Sequence, residues 1–256
     1  MVLLETKNLG KNFGGLKAVH DFSVQVEEGK ITALIGPNGA GKTTVFNLLT
    51  GFLAPTDGEM WFRGKRLNGL NPCRIAQMKI ARTFQIIRIF PKLTVIDNVI
   101  LGCQNLKGES VWGALLRTRG VKQEEESSRE KALDLLELVG LSQYQDQYAT
   151  NLGYGQQKLV EIARALATDA EILLLDEPMA GLSTDMTVVM IDLIRNLQKR
   201  GKTVFFIEHN MKIVMDISEW IFVLSYGEEI ARGTAAEVQN NDRVIEAYLG
   251  RSSEGG

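Results

Sequence analysis

The chain has 256 residues, 45% hydrophobic and 23% charged, with 29 basic against 31 acidic side chains and a formal net charge of −2. This is an ordinary globular composition, long enough for one large domain or two intimate subdomains. Its slight acidity argues against nucleic acid as the main partner, since phosphate-backbone binding normally shows as a basic domain.

Two cysteines, Cys73 and Cys103, lack a C-x-x-C spacing and an adjacent histidine pair. They argue against a disulfide framework or zinc site and for reduced thiols in a cytosolic compartment. The start, Met1 to Lys7, has an early acid, Glu5, and no long apolar region, so it is expected not to be a signal peptide. Residues 1–30 alternate in polarity (Leu4, Thr6; Phe22, Val24, Val26) around Gly14-Gly15, which predicts an antiparallel sheet. Lys30 to Ile35 then reads as a buried strand and Val45 to Leu49 as the first turns of a helix. Between them lies Gly36-Pro37-Asn38-Gly39-Ala40-Gly41-Lys42-Thr43-Thr44, a match to the phosphate-loop pattern. A strand turning through glycines into a helix N-terminus converges backbone N–H groups and a positive dipole end on an anion. Lys42 would bridge the β- and γ-phosphates and the Thr43 hydroxyl would hold Mg²⁺. The chain is therefore expected to bind a nucleoside triphosphate.

Residues 57–67, with Gly58, Met60, Phe62 and Gly64, read as a further strand pair of the antiparallel sheet. Residues 92–150 have helical periodicity and high polarity. Within them Lys122 to Glu126 reads as a solvated helix face, and 106–121, with Trp112, Leu115 and Leu116, as a satellite packing cluster or a partner surface. Glycines in Leu152-Gly153-Tyr154-Gly155-Gln156-Gln157, ahead of a helix over 158–169, form a second anion-binding N-terminus. A strand over 171–175 ends in Asp176-Glu177. It places carboxylates at the sheet edge where the phosphate loop opens. Asp176 would bind Mg²⁺ through water, leaving Glu177 to polarise an attacking water. A helix over 185–200 leads to a strand over 203–207. The apolar runs 31–35, 172–175, 203–207 and 220–224 are short, as in strands buried on both faces, and predict an α/β fold around a parallel sheet. None approaches the ~20 residues of a membrane span, so a membrane, if involved, would come from a partner. The tail Arg251 to Gly256 is expected to fray.

The order phosphate loop, glycine-rich string, Asp-Glu strand resembles the ATP-binding subunit of an ABC transporter across essentially the whole chain. The resemblance implies a single ABC ATP-binding domain over 1–256. Residues 1–84 and 168–256 would form the P-loop core and antiparallel β subdomain, and 85–167 the α-helical signature subdomain. It implies ATP and Mg²⁺ as cofactors. Phe13 would stack on adenine (a buried strand aromatic is the alternative), with Val19 among the nucleotide contacts. Gln85, in Arg82-Thr83-Phe84-Gln85, would sense Mg²⁺ and couple to the membrane partner. His209 would reach the γ-phosphate, and Gly153, Gly155 and Gln156 would belong to the signature. His20 is taken as structural. Two positions depart from the family pattern: Gly153 stands where the signature serine is usual, and Ser183 where an aspartate is.

The resemblance further implies a head-to-tail homodimer or heterodimer with a second ATPase subunit, two integral-membrane permease subunits and an extracytoplasmic solute-binding protein. The chain would then lie on the cytoplasmic face of the inner membrane. Ile86, Ile87, Ile89, Phe90 and Leu93 are candidate permease contacts, or else core. Phe13-Gly14-Gly15-Leu16, Arg82-Thr83-Phe84-Gln85, Tyr154-Gly155-Gln156-Gln157 and Val244 to Gly250 look most like branched-chain amino-acid importers. The lipopolysaccharide-export ATPase is similar but lacks so long an insertion at 105–130. A soluble ABC ATPase acting on ribosomes or DNA, or a non-catalytic regulatory subunit, are the readings of another class.

Overall fold

The structure, a computed structural model, describes residues 1–103 and 119–249. The packing-or-partner stretch around Trp112, Leu115 and Leu116, and the tail at 251–256, lie outside the described residues. The chain opens with β1 (Val2–Phe13), β2 (Leu16–Phe22) and β3 (Gln25–Glu27), followed by β4 (Ile31–Ile35), α1 (Lys42–Leu49), β5 (Asp57–Phe62) and β6 (Lys65–Arg66). The expected antiparallel sheet is present in the order β2-β1-β5-β6, with β3 also on β1. One buried face carries Leu4, Thr6, Met60 and Phe62 at a period of two, and Leu3, on the other face of β1, is buried as well. Gly58 pairs the strands closely: a Cβ there would lie 2.2 Å from the Asn8 carbonyl oxygen.

The second sheet runs β11-β10-β4-β9-β8-β7. Its strands are β7 (Ile80–Arg82), β8 (Ile172–Asp176), β9 (Thr203–Ile207), β10 (Trp220–Ser225) and β11 (Glu228–Gly233). All neighbours from β10 to β7 are parallel, and β11 is an antiparallel edge. The short apolar runs are buried on both faces, and alternate residues sort into two cores. Leu173, Leu175, Val204 and Phe206 face one core, which includes most of the helices. Leu174, Phe205, Ile207 and Leu34 face the other, shared with α1 and the antiparallel sheet. This explains why these strands read as continuous apolar runs while β1 and β5 do not.

The remaining helices are α2 (Pro72–Gln77), α3 (Val95–Ile100), α4 (Arg119–Leu138), α5 (Tyr154–Ala167), α6 (Thr184–Lys199), α7 (Met211–Ile217), α8 (Ala235–Gln239) and α9 (Asp242–Leu249). Of these, α3, α4 and α5 pack on one another. Gln123, Glu125 and Glu126 on α4 are exposed, as the charged run predicts. Two helix starts differ from the sequence expectation. α1 begins at Lys42 rather than Val45, because Gly41, at φ 102°, is its N-cap. α5 begins at Tyr154 rather than 158, because Gly153 takes an extended N-cap conformation and its N–H is accepted by Gln156 Oε1 at 3.0 Å. Glycines that the sequence places ahead of each helix are its N-caps in the fold. β7, three residues long, gave no periodic signal, yet it delivers Arg82 to Gln85 to the sheet edge.

Candidate nucleotide and catalytic site

The phosphate loop leaves β4 at Ile35. Gly36 and Gly41 adopt φ of 151° and 102°. A Cβ on Gly36 would sit 2.0 Å from the Leu224 carbonyl oxygen, and one on Gly41 2.3 Å from that of Ala18 and 3.5 Å from Val19 Cγ2. These positions therefore require glycine for backbone conformation and close approach alike, and Val19 lies against the loop. Lys42 is buried and its ammonium donates to the carbonyls of Gly36 at 2.7 Å and Pro37 at 2.8 Å. α1 has neither a side-chain cap nor an acid in its first turn, which leaves the positive end of its dipole toward the loop for an anion. Asn38, Gly39 and Thr43 are exposed and Thr44 is half-buried, while Ala40 is buried. Phe13, at the end of β1, is exposed with the Lys11 ammonium 5.2 Å from its ring centre. The buried-aromatic alternative for Phe13 is therefore overturned.

Asp176 is buried at the end of β8 and its Oδ2 accepts from Arg82 Nη2 at 2.9 Å. Arg82 also donates to Asn47 Oδ1 on α1 at 2.8 Å and to Oγ1 of Thr50, its C-cap, at 3.1 Å. Burial pulls this guanidinium below its ordinary pKa, and the hydrogen bond to Asp176 opposes the fall. Thr43, Asn47, Arg82, Gln85 and Asp176 line one open groove. Thr43 and Asp176 bring oxygen donors to it. A magnesium ion suits such a wall, because it takes few protein oxygens and keeps its remaining positions for water and phosphate.

Glu177 follows at φ 49°, a left-handed conformation that is uncommon outside glycine. The turn aims its carboxylate back over the sheet edge. Gln85 Nε2 donates to Oε2 at 2.9 Å and His209 Nε2 lies 2.7 Å from Oε1. Two residues separated by 124 positions in sequence thus meet on one carboxylate. Gly153, Gly155 and Gln156 form a separate group at the start of α5 that packs toward α6: a Cβ on Gly155 would lie 2.9 Å from Met186 Cε. Ser183 caps α6, its hydroxyl accepting from the Met186 N–H at 3.4 Å. His20 stands exposed, with Nδ1 3.3 Å from Glu228 Oε1.

Several residues of this region escaped the sequence reading. Lys158, on α5, is buried and donates to the carbonyls of Glu177, Pro178 and Ala180. Glu208 is buried, and burial raises its pKa above the usual carboxylate value. Its two oxygens accept from the N–H groups of Met179 at 2.8 Å and His209 at 3.1 Å. Phe84 stacks under two cations, Arg82 and Arg88, at 5.0 and 3.9 Å, and meets Phe52 edge-on. A signal for Lys158 existed: spacing of four puts it on one stripe with Tyr154 and Ile162, and a lysine in an apolar stripe needs carbonyl or carboxylate partners. Among the permease-contact candidates, Ile86 is 80% and Phe90 50% exposed, whereas Ile89 packs on the core. Among the described residues no helix is long and apolar enough to cross a membrane.

An anion cradle, hard oxygen donors and a held carboxylate together fit phosphoryl transfer to water. Comparison with known proteins agrees. A family model described as "ABC transporter" matches residues 19–180, and one described as "Branched-chain amino acid ATP-binding cassette transporter" matches 228–253. The chain is 43% identical to the high-affinity branched-chain amino acid transport ATP-binding protein LivG of Salmonella typhimurium, over 98% of each. A crystal structure of the ADP conformation of an ATP-binding cassette of an ABC transporter superposes with a TM-score of 0.85 at 36% identity, covering 98% of this chain and 99% of that one. A dimeric cassette in a post-hydrolysis state, bound to ADP and phosphate, gives 0.75 at 28% identity, covering 91% and 99%.

Proposed function

The chain belongs to the ABC transporter family, and from that premise we propose that it is the ATP-hydrolysing subunit of a branched-chain amino-acid importer. ATP hydrolysis coupled to transport follows from the family. The solute reading is supported by the LivG relative and by the match of residues 228–253, which favour import over lipopolysaccharide export. Lys42 and the N–H groups of Gly36 and residues 38–44 would hold the β- and γ-phosphates, with Phe13 and Val19 toward the base. Thr43 and Asp176 would hold Mg²⁺, with Gln85 beside it, and the ion would supply positive charge against the phosphates. Glu177 orients a water for in-line attack and takes its proton. The observation that carries this reading is the Glu177 carboxylate held between Gln85 and His209 at 2.9 and 2.7 Å.

Gly153, Gly155 and Gln156 would face the γ-phosphate held by a second cassette, in a head-to-tail homodimer or heterodimer. Residues 1–84 and 168–256 would act as core and 85–167 as the helical part. Two permeases would anchor the pair on the cytoplasmic face of the membrane, with a solute-binding protein on the far side. A non-catalytic role is disfavoured by the presence of both Glu177 and His209, and action on nucleic acid by the net charge of −2. The test is Glu177→Gln. It should bind ATP normally, lose about 10²–10⁴-fold in kcat as expected for a lost general base, and elute as an ATP-bound dimer. Near-normal hydrolysis would remove Glu177 from this role. In the same preparations, recovery of two multi-span permeases supports the importer, and lipopolysaccharide-export components would replace it.

A further inference from the structure

We infer that Lys158 is a positioning residue that clamps the signature helix to the turn bearing Glu177, so that engagement of one nucleotide by the signature is felt by the catalytic carboxylate of the other site. The inference rests on the reading of Glu177 as general base and on the sandwich dimer. An ammonium has three donors and no acceptor. Lys158 Nζ meets the carbonyls of Glu177 at 2.9 Å, Pro178 at 3.1 Å and Ala180 at 2.8 Å. All three donors are satisfied by one four-residue turn, which the Ala180 N–H closes on the Glu177 carbonyl at 3.1 Å. Burial lowers the pKa of this lysine, while Glu208, Glu161 and Glu177 favour its charged form. A buried cation is retained only where its partners are held in place, and these partners are the backbone that sets the direction of the Glu177 side chain.

The clamp has company along the same face. A Cβ on Gly181 would stand 3.2 Å from the Tyr154 ring, and Gly155 packs on Leu182 and Met186. The first turn of α5 thus lies along residues 177–186 as one body. Glu208, just past β9, also holds the Met179 N–H, so the turn is gripped from both the helix and the end of that strand. In the dimer, α5 points its N-terminus at the partner's nucleotide while Glu177 serves its own. A displacement of α5 by one site therefore moves the base of the other.

The test compares Lys158→Met, which has no donor, with Lys158→Gln, which keeps two. Each is assayed for ATP binding, thermal melting, kcat, and the Hill coefficient for ATP. Expected for Lys158→Met are ATP affinity within about threefold of wild type, kcat lowered at least tenfold, and a Hill coefficient falling toward 1. Lys158→Gln should recover part of the kcat and of the cooperativity, and it carries the comparison if the methionine variant does not fold. Wild-type kcat and cooperativity in a folded variant would overturn the inference. So would a loss of kcat that only follows the fraction folded. If Glu177→Gln hydrolyses ATP normally, the reading of the site fails independently of what Lys158 does.

Discussion

Gly153 has φ −63° and ψ 157°, an ordinary conformation for any residue, and the nearest atom to a Cβ built on it is Gln156 Oε1 at 3.7 Å. Nothing in the backbone requires glycine there. Serine is as good an N-cap, so Gly153→Ser should change stability by only a few tenths of a kcal/mol. It restores a hydroxyl whose hydrogen bond to a charged phosphate is worth about 1.5–3 kcal/mol. ATPase activity should therefore be kept or raised, by tenfold or more if that contact limits turnover. A large loss in steady-state kcat would show that the position serves geometry after all. Gly36 and Gly41 are the opposite case, since a Cβ on either would overlap a backbone oxygen. Residue type alone does not separate these glycines; φ and the neighbouring strand do.

Between elements, the Arg82–Asp176 pair joins β7, β8 and α1, with both side chains about 5% exposed or less. Such a pair adds little net stability against a hydrophobic alternative, because desolvation offsets attraction. Removing one partner, however, strands a buried charge at about 3–5 kcal/mol. Arg82→Met should lower the unfolding free energy by that amount in urea titrations, and binding of Mg²⁺ with ATP should stabilise the variant more than wild type. A change below 1 kcal/mol would mean that water already reaches Asp176. This strap was invisible in sequence. β7 is too short to show a period, and an ion pair across 94 residues is decided by which strands become neighbours. By contrast, β4, β8 and β9 were legible, because a strand buried on both faces is apolar at nearly every position, with Thr32, Asp176 and Thr203 the buried polar exceptions.

For the whole molecule, the apolar residues beside Gln85 divide into two classes. Ile89 belongs to the core, while Ile86 is 80% exposed on a groove with Phe52, Phe84 and Arg88. An exposed aliphatic side chain among aromatics and cations, next to a residue that holds Glu177, is a surface that a partner can reach. Ile86→Asp should leave the ATPase rate of the isolated chain within about twofold while abolishing recovery of the permeases and transport-coupled hydrolysis. Retained co-purification would place the contact elsewhere.

Sequence alone determined the class of fold, the glycine-rich loop between β4 and α1, the Asp-Glu strand end and the glycine-rich string that opens α5. Each of these is local, a pattern of residue types within about ten positions whose backbone requirement or periodicity is intrinsic. It could not decide that Gln85 and His209 meet on Glu177, that Arg82 occupies Asp176, that Phe13 is exposed or that Lys158 holds the catalytic turn. Those depend on strand order and on which helix face is covered. The energy of a buried charge or a shared carboxylate comes from partners that only the folded chain brings within hydrogen-bonding distance.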